Sequence, residues 1–432
     1  MKHLFVIAIV ILPVVAIGDD WPQWRGPRQN GSSPEKNLPV KWDTKKNVIW
    51  RTAMPGYSAA TPVISKGRVF VTSGDSKKRL HALCLDEKTG EILWDKPAGK
   101  DVWHRGRRHN GATPSPVTDG KTVCFYFGTG PLLAFDHDGK ELWSWNFVKT
   151  YGPFCSMWGY GSSPLLHDNV LYIPILQHKQ PGRYGGMDSR RGPLKSYLVA
   201  LGFKDGKKIW EHDRKTDMRG ETCESYITPM VMKQGDTSLL VINAAEYLTG
   251  HRISDGHEVW RWRFAPHSTK VDQRTVSSVA VVDDTIYFGR AKCQLFYAMR
   301  PGDGKGRLAD DVLQWQFGAT SSDATSPLIY KDRIYLLNGR GRDISCLDPK
   351  TGKAYWSEKL DVRTDLRASP TGADGKVYCI TMRGEVIVIE AADEYRVLAR
   401  NRMNEKGCRA SIAVANGRLF IRTPGYVYCI GK

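Results

Sequence analysis

Three stretches concentrate side chains able to hold an anion. GKDVWHRGRRHNG, from Gly99 to Gly111, carries Trp103, His104, Arg105, Arg107, Arg108 and His109. HKQPGRYGGMDSRRGPLK, from His178 to Lys195, carries Arg183, Tyr184, Arg190 and Arg191, and KTYGPFCSMWGYG carries Tyr151, Trp158 and Tyr160. A guanidinium forks onto carboxylate, sulfate or phosphate through paired N–H donors, and an aromatic ring stacks on the flat face of a sugar. For any single arginine a solvated surface loop is the preferred account, and only the gathering of the three stretches on one face favours a site. A second set, Arg274, Arg367 and Arg409, stands shortly before repeat starts, with Glu221, Glu224 and Asp323 as neighbours or counter-ions. Ion pairs satisfied among themselves at a channel rim are the plain alternative for that set.

Motifs for catalysis are lacking. DHDGKELW at Asp136 opens like a calcium loop, but Lys140 falls where a third oxygen ligand belongs and Phe147 where a bidentate Glu belongs. GDGKG at Gly302 and GRG at Gly339 lack the strand-to-helix setting of a phosphate loop. Neither a His-Glu-x-x-His zinc motif nor a Gly-x-Ser-x-Gly elbow occurs, so no metal site and no catalytic residue is assigned.

The elements that must position these loops repeat eight times. A Ser or Thr, usually before Pro, opens each unit at Thr61, Ser115, Ser163, Thr228, Ser278, Ser326, Ser369 and Ser411. Two β-rich runs follow, then an Asp/Gly turn and a strand ending in tryptophan, as in LDEKTGEILW and LDPKTGKAYW. The unit tryptophans are Trp94, Trp143, Trp210, Trp260, Trp315 and Trp356, with Leu398 in the seventh place. Four short strands per 40 to 50 residues predict an all-β, eight-bladed β-propeller. The eighth unit is one strand short, and NVIWRT around Trp50 supplies it, so the chain ends share a blade and close the ring. One indole per blade at a fixed offset is read as inter-blade packing, and the Gly of each turn as a supplier of positive φ.

The chain thus divides into a leader at 1–18, a Trp-rich N-terminal brace at 19–46 and one propeller at 47–432. The leader is an apolar run behind Lys2, shorter than the roughly 20 residues of a membrane span. Export to a periplasmic or extracellular setting is expected, as a soluble, monomeric protein. The formal charge of +18 over 432 residues favours acidic partners, and export makes nucleic acid a poor one. Nine cysteines cannot all pair. Cys84, Cys346 and Cys429 recur at one repeat position and read as small core residues, whereas Cys155 and Cys223, in matching loops, are the candidate disulfide.

These repeats resemble the pyrroloquinoline quinone (PQQ) repeat over nearly the whole mature chain. DWPQWRGPRQNGSS, SPVTDGKTVCFYFGTGPLLAFDHDGKELWSW and RASIAVANGRLFIRTPGYVYCIG look like exported PQQ-binding-like propellers of planctomycetes, similar in fold to the BamB scaffold and to quinoprotein alcohol dehydrogenases. The latter likeness implies adjacent cysteines against PQQ, a Glu and Asn on calcium and an aspartate base. The sequence has no adjacent cysteines and no Cys-x-x-Cys-His for haem. A non-catalytic binding or scaffold protein for a partner protein or an anionic glycan is therefore expected, with a PQQ-dependent oxidoreductase as the alternative. The opening WPQWRGPRQNG, with Trp21, Trp24 and Arg25, is read as a tryptophan–arginine brace beside the closure seam rather than a ligand site.

Overall fold

The computed structural model describes residues 20–102, 110–179, 194–263, 274–290, 295–318 and 322–431. Their strands form eight sheets, antiparallel but for one short added strand, the blades of a propeller. Blade 1 comprises Val63–Ser65, Arg68–Asp75, Arg79–Asp86 and Ile92–Lys100, counted outward from the ring axis, with Gly56–Tyr57 added beside the second strand. Ring closure is as expected from the sequence. Val48–Ala53 pairs antiparallel with Tyr426–Ile430, placing Trp50 opposite Cys429 as the outer strand of blade 8.

The indoles set the blade-to-blade spacing. Nε1–H of Trp50, Trp94, Trp143, Trp210, Trp315 and Trp356 each donates to a carbonyl of the next blade: Glu87, His137, Phe203, Ile253, Pro349 and Ala392, at 2.8–3.1 Å. Against the first five of these rings lie Gly90, Gly139, Gly206, Gly256 and Gly352, all at positive φ, where a Cβ would meet the indole at 2.5–2.9 Å. The turn glycine is therefore fixed twice, by its backbone and by its neighbour's ring. Trp260 departs from the pattern. In the following blade, residues 300–312 lengthen the corresponding turn and lay Gly306–Arg307 parallel to Trp260 and Arg261. Trp260 Nε1 is buried without a partner among the described residues, and Trp262 takes over with a 2.9 Å bond to Asp310.

The residue cross-strand from each indole is small. Cys429, Cys84, Ala134, Ala200, Gly250, Ala298 and Cys346 face Trp50, Trp94, Trp143, Trp210, Trp260, Trp315 and Trp356. This explains the recurring cysteines: all three are fully buried and fill a slot that admits only a small side chain. Burial pushes their thiols up to about 12.

Three expectations change. In blade 7 the register places Ala399, not Leu398, in the tryptophan position, because the outer strand carries the same bulge as its counterparts and skips Leu398. Opposite Ala399 is Val388, too large for the slot. The missing indole comes from elsewhere: Trp42 packs on Tyr378 at 6.4 Å between centroids, close to the 5.9–6.1 Å between blade tryptophans and the matching aromatic of blades 1, 3, 5, 6 and 8. Its backbone N–H bonds Asn401, and its Nε1–H meets Met403 sulfur at 3.4 Å. Second, Cys155 and Cys223 are both buried and unbridged. Cys223 Sγ donates to the Met218 carbonyl at 3.1 Å.

Third, the Trp-Arg stretch is not confined to the seam. Trp21 exchanges backbone bonds with Ile64 of blade 1, Pro22 accepts from Thr118 of blade 2, and Gln23 brackets Leu166 of blade 3. The chain then crosses the axis. Arg25 donates to Pro327 of blade 6 and, at 3.0 Å, to Pro370 of blade 7, and residues 31–33 pair with Gly372. Glu35 receives Gly417 N–H of blade 8. These partners lie along the inner strands and their hairpins, so the segment spans the ring on the hairpin face, opposite the inter-blade loops.

Trp42→Ala is expected to cost about 3–5 kcal/mol in denaturant unfolding, the order of a buried aromatic truncation and matching Trp356→Ala. A loss below about 1 kcal/mol would show that Trp42 does not complete blade 7.

Candidate ligand-binding site

Where inner strands begin, the unit-start residues form a ring. The backbone N–H of Thr61, Ser115, Thr228, Ser278, Ser326 and Ser369 donates to the hydroxyl of Ser115, Ser163, Ser278, Ser326, Ser369 and Ser411 in turn, at 2.9–3.1 Å. Between blades 3 and 4 the sense differs, the Thr228 hydroxyl donating to the Ser163 carbonyl at 3.1 Å. The repeated Ser or Thr is thus the seam between inner strands, since only a short hydroxyl side chain reaches the neighbouring N–H there.

Within this ring lies a cavity of about 680 Å³. Its wall carries Thr61, Ser115, Ser163, Ser369 and Ser411 of the ring, its cationic groups are Arg274, Arg340, Arg367 and Arg409, and its rings are Trp24, Trp158, Tyr160 and Tyr226. The remaining lining residues come from inter-blade loops and second-to-third-strand loops, so the cavity faces the loop side. On the hairpin side it meets Trp24, with the Arg25 guanidinium 5.9 Å from that ring. Arg25 is 3% exposed and bonds only carbonyl oxygens among the described residues. Burial pulls it down to about 9.

The structure gathers Trp158, Tyr160, Arg274, Asp323, Arg367 and Arg409 around one cavity. Arg274 pairs with Glu221 at 3.2 Å and lies 5.7 Å from the Trp158 ring, whose Nε1 donates to the same Glu221. Arg367 holds Asp323 at 3.1 Å and Asp365 at 3.0 Å. Both are the counter-ion contacts weighed from the sequence. Tyr160 is anchored, its hydroxyl donating to Pro174 at 2.9 Å. Trp103, His104, Arg107, Arg108, His109, Arg183, Tyr184, Arg190 and Arg191 lie outside the described residues.

Of the lining residues that escaped sequence reading, among them Tyr226 and Asp365, two are informative. Trp24 was assigned to a brace alone, because nothing local shows that its segment crosses the axis. Arg340 sits in GRG, taken as a plain glycine turn. A Cβ on Gly339 would meet the Leu366 carbonyl at 1.8 Å, so this glycine lets the loop approach blade 7 and carries Arg340 to the cavity. The presence of two glycines around one arginine was the available signal.

Behind the wall, Glu224 is fully buried. Tyr226 donates to it at 2.6 Å, Ser156 at 3.3 Å and Met157 N–H to both oxygens at 3.0 Å, which fixes the loop presenting Trp158. Burial, reinforced by Glu221, outweighs these bonds and raises Glu224 to about 7.

The fold family's quinoprotein branch implies PQQ with calcium. The donors here do not fit that pair: Asp323 and Asp365 are both held by Arg367, the buried cysteines are unbridged, and no metal-holding cluster of His, Cys, Asp and Glu occurs among the described residues. What the arrangement offers instead is guanidinium and hydroxyl donors beside aromatic faces.

These features define an eight-bladed PQQ-repeat propeller with an axial cup. The chain belongs to the family described as outer membrane protein assembly factor BamB, whose profile matches residues 33–152, 95–260, 194–343 and 340–430. It is similar to the crystal structure of BamB from Moraxella catarrhalis, at 14% identity and TM-score 0.60 over 89% of this chain and 99% of that one. It is also similar to quinohemoprotein alcohol dehydrogenase from Comamonas testosteroni, at 13% identity and TM-score 0.68 over 96% of this chain and 81% of that one. A europium-containing methanol dehydrogenase shares 11% identity at TM-score 0.67, over 94% and 90% of the two chains. No curated protein sequence matches. Among the described residues no helix is long and apolar enough to cross a membrane.

Glu224 yields a signed pH dependence. Its proton is held more tightly in the fold than in the unfolded chain, so its contribution favours the fold fully below about pH 4.5 and is lost as pH rises through about 7. Between pH 5 and 8 the wild type should lose roughly 3 kcal/mol relative to Glu224→Gln, measured by urea unfolding across pH. Parallel curves for the two proteins would place the Glu224 titration elsewhere.

Proposed function

We propose that this is an exported binding propeller, without turnover of its own, that takes an anionic glycan through the loop face and the cup beneath it. The observation that carries this reading is the cup lining: four arginines from the loops of blades 5 to 8, with Asp323 and Asp365 both engaged by one of them, in the same cavity as the rings of Trp24, Trp158, Tyr160 and Tyr226. Guanidinium groups supply charge and paired donors, while rings accept sugar faces, a combination suited to acidic carbohydrate. The arginines of 99–111 and 178–195 would extend the same field over the loop face, raising capture rates at low salt. The apolar run behind Lys2 supports export, and the high positive charge suits a polyanionic target. A scaffold role toward a partner protein, suggested by the likeness to BamB, would use the same face.

Calorimetry against sulfated, uronate-containing and neutral oligosaccharides tests this. Acidic members should bind with affinity falling as salt rises, and neutral members should not. Arg340→Ala should weaken binding about tenfold, the loss of one charge-assisted contact. Changing Arg107, Arg108, Arg190 and Arg191 together to Ala should weaken it further, with melting temperatures unchanged. Equal binding of neutral and acidic sugars would reject the reading. So would turnover of alcohols after addition of PQQ and calcium.

A further inference from the structure

The cup is lined by hydroxyls whose hydrogen-bonding capacity is half used. Ser115, Ser163, Ser369 and Ser411 each accept a backbone N–H from the preceding blade, and none donates to a protein acceptor among the described residues. A hydroxyl has one proton to give, so four O–H donors remain at the neck of the cavity. This is a consequence of the inner seam, which uses each hydroxyl as an acceptor and leaves its proton to be given.

Two further observations bear on the same place. Arg25 lies beneath Trp24 as a buried cation bonded to carbonyls, with no carboxylate partner among the described residues. A charge so placed is costly unless compensated, and an anion at the neck would compensate it. On the wall, Asp323 Oδ1 is buried without a partner among the described residues, although Oδ2 is held by Arg367. A ligand hydroxyl is the donor that would satisfy it. An oxyanion and a hydroxyl on one compact body describe an acidic sugar.

The cup also ends. Residues 21–33 cross the hairpin face from blade 1 to blade 7, and Trp24 closes that side of the cavity. A volume of about 680 Å³ lies within the range that encloses a drug-sized ligand. A polysaccharide cannot thread such a cup.

Resting on the proposed glycan-binding reading, we infer that the cup recognises chain ends: a terminal acidic sugar enters from the loop face, places its carboxylate or sulfate on the serine hydroxyls at the neck, and packs its ring against Trp24. The N-terminal segment is then part of the site as well as of the scaffold. Internal acidic residues of a polymer would reach only the loop face.

The full chain is titrated calorimetrically with five oligosaccharides of equal length: one with a terminal uronate, one with a terminal sulfated sugar, the two isomers that carry those acidic sugars internally between neutral termini, and a wholly neutral chain. Either terminal oxyanion should bind at least tenfold tighter than the internal isomers, with quenching of tryptophan fluorescence. Trp24→Phe should reduce that quenching and weaken terminal binding several-fold. Ser369→Ala should lose affinity that Ser369→Thr retains, because threonine keeps the hydroxyl. Equal affinity for terminal and internal acidic sugars would overturn end recognition while leaving a glycan-binding loop face standing. Failure of the wild type to bind any acidic oligosaccharide would overturn both. These wild-type titrations decide the matter even if a variant fails to fold.

Discussion

An indole held between a turn glycine and a carbonyl of the next blade is the contact on which this ring depends. Sheets of a propeller meet face to face without a shared hydrogen-bonded ladder, so dispersion alone would leave their mutual angle soft. The Nε1–H bond at 2.8–3.1 Å removes that freedom, and the glycine allows the ring to lie directly on the neighbouring backbone. The demand propagates inward. Across the strand from each indole only Cys, Ala or Gly is found, so the core of each blade is dictated by its outermost strand. Where blade 7 lacks the indole its core differs accordingly, with Val388 in the small slot and Trp42 arriving from a different part of the chain.

At the inner edge a second seam does comparable work with polar groups. Six N–H to hydroxyl bonds link successive inner strands. Because these bonds run one way around the axis, the interior of the ring has a chemical polarity as well as a shape. The cup's arginines sit above that layer, and the ion pairs to Glu221, Asp323 and Asp365 hold two of them in fixed positions rather than leaving them as mobile surface charges. Preorganised donors of this kind lower the ordering cost of binding.

Blade number, closure and the role of the tryptophans were legible in the sequence because each rests on a repeated local pattern. The eight Ser/Thr starts and the strand around Trp50 needed only counting. The Leu398 assignment failed by one residue because a β-bulge cannot be counted from spacing; it is visible only in register. Arg274, Arg367 and Arg409 could be placed at the axis since each precedes a unit start. Trp42 and Arg25 could not, because their partners lie more than 300 residues away and no local pattern encodes such contacts, and Trp24 reaches the cavity only because its neighbour Arg25 is anchored there. Arg340 was hidden for a different reason: the close approach that requires Gly339 is to a neighbouring blade, not to its own.

The path of residues 20–46 bears on how the molecule is made. This stretch leaves the ribosome early, and while residues 21–23 rest on blades 1 to 3, those from Arg25 onward rest on Pro327, Pro370, Asn401 and Gly417, which are synthesised much later. Contacts so distant along the chain form slowly, and Arg25 and Trp42 stay undocked until blades 6 to 8 have been made. Cup floor, seventh indole and ring closure therefore come into being together, at the end. A nascent or truncated chain lacks a finished cavity, so an enclosed cup is itself a mark that synthesis and folding have run to completion.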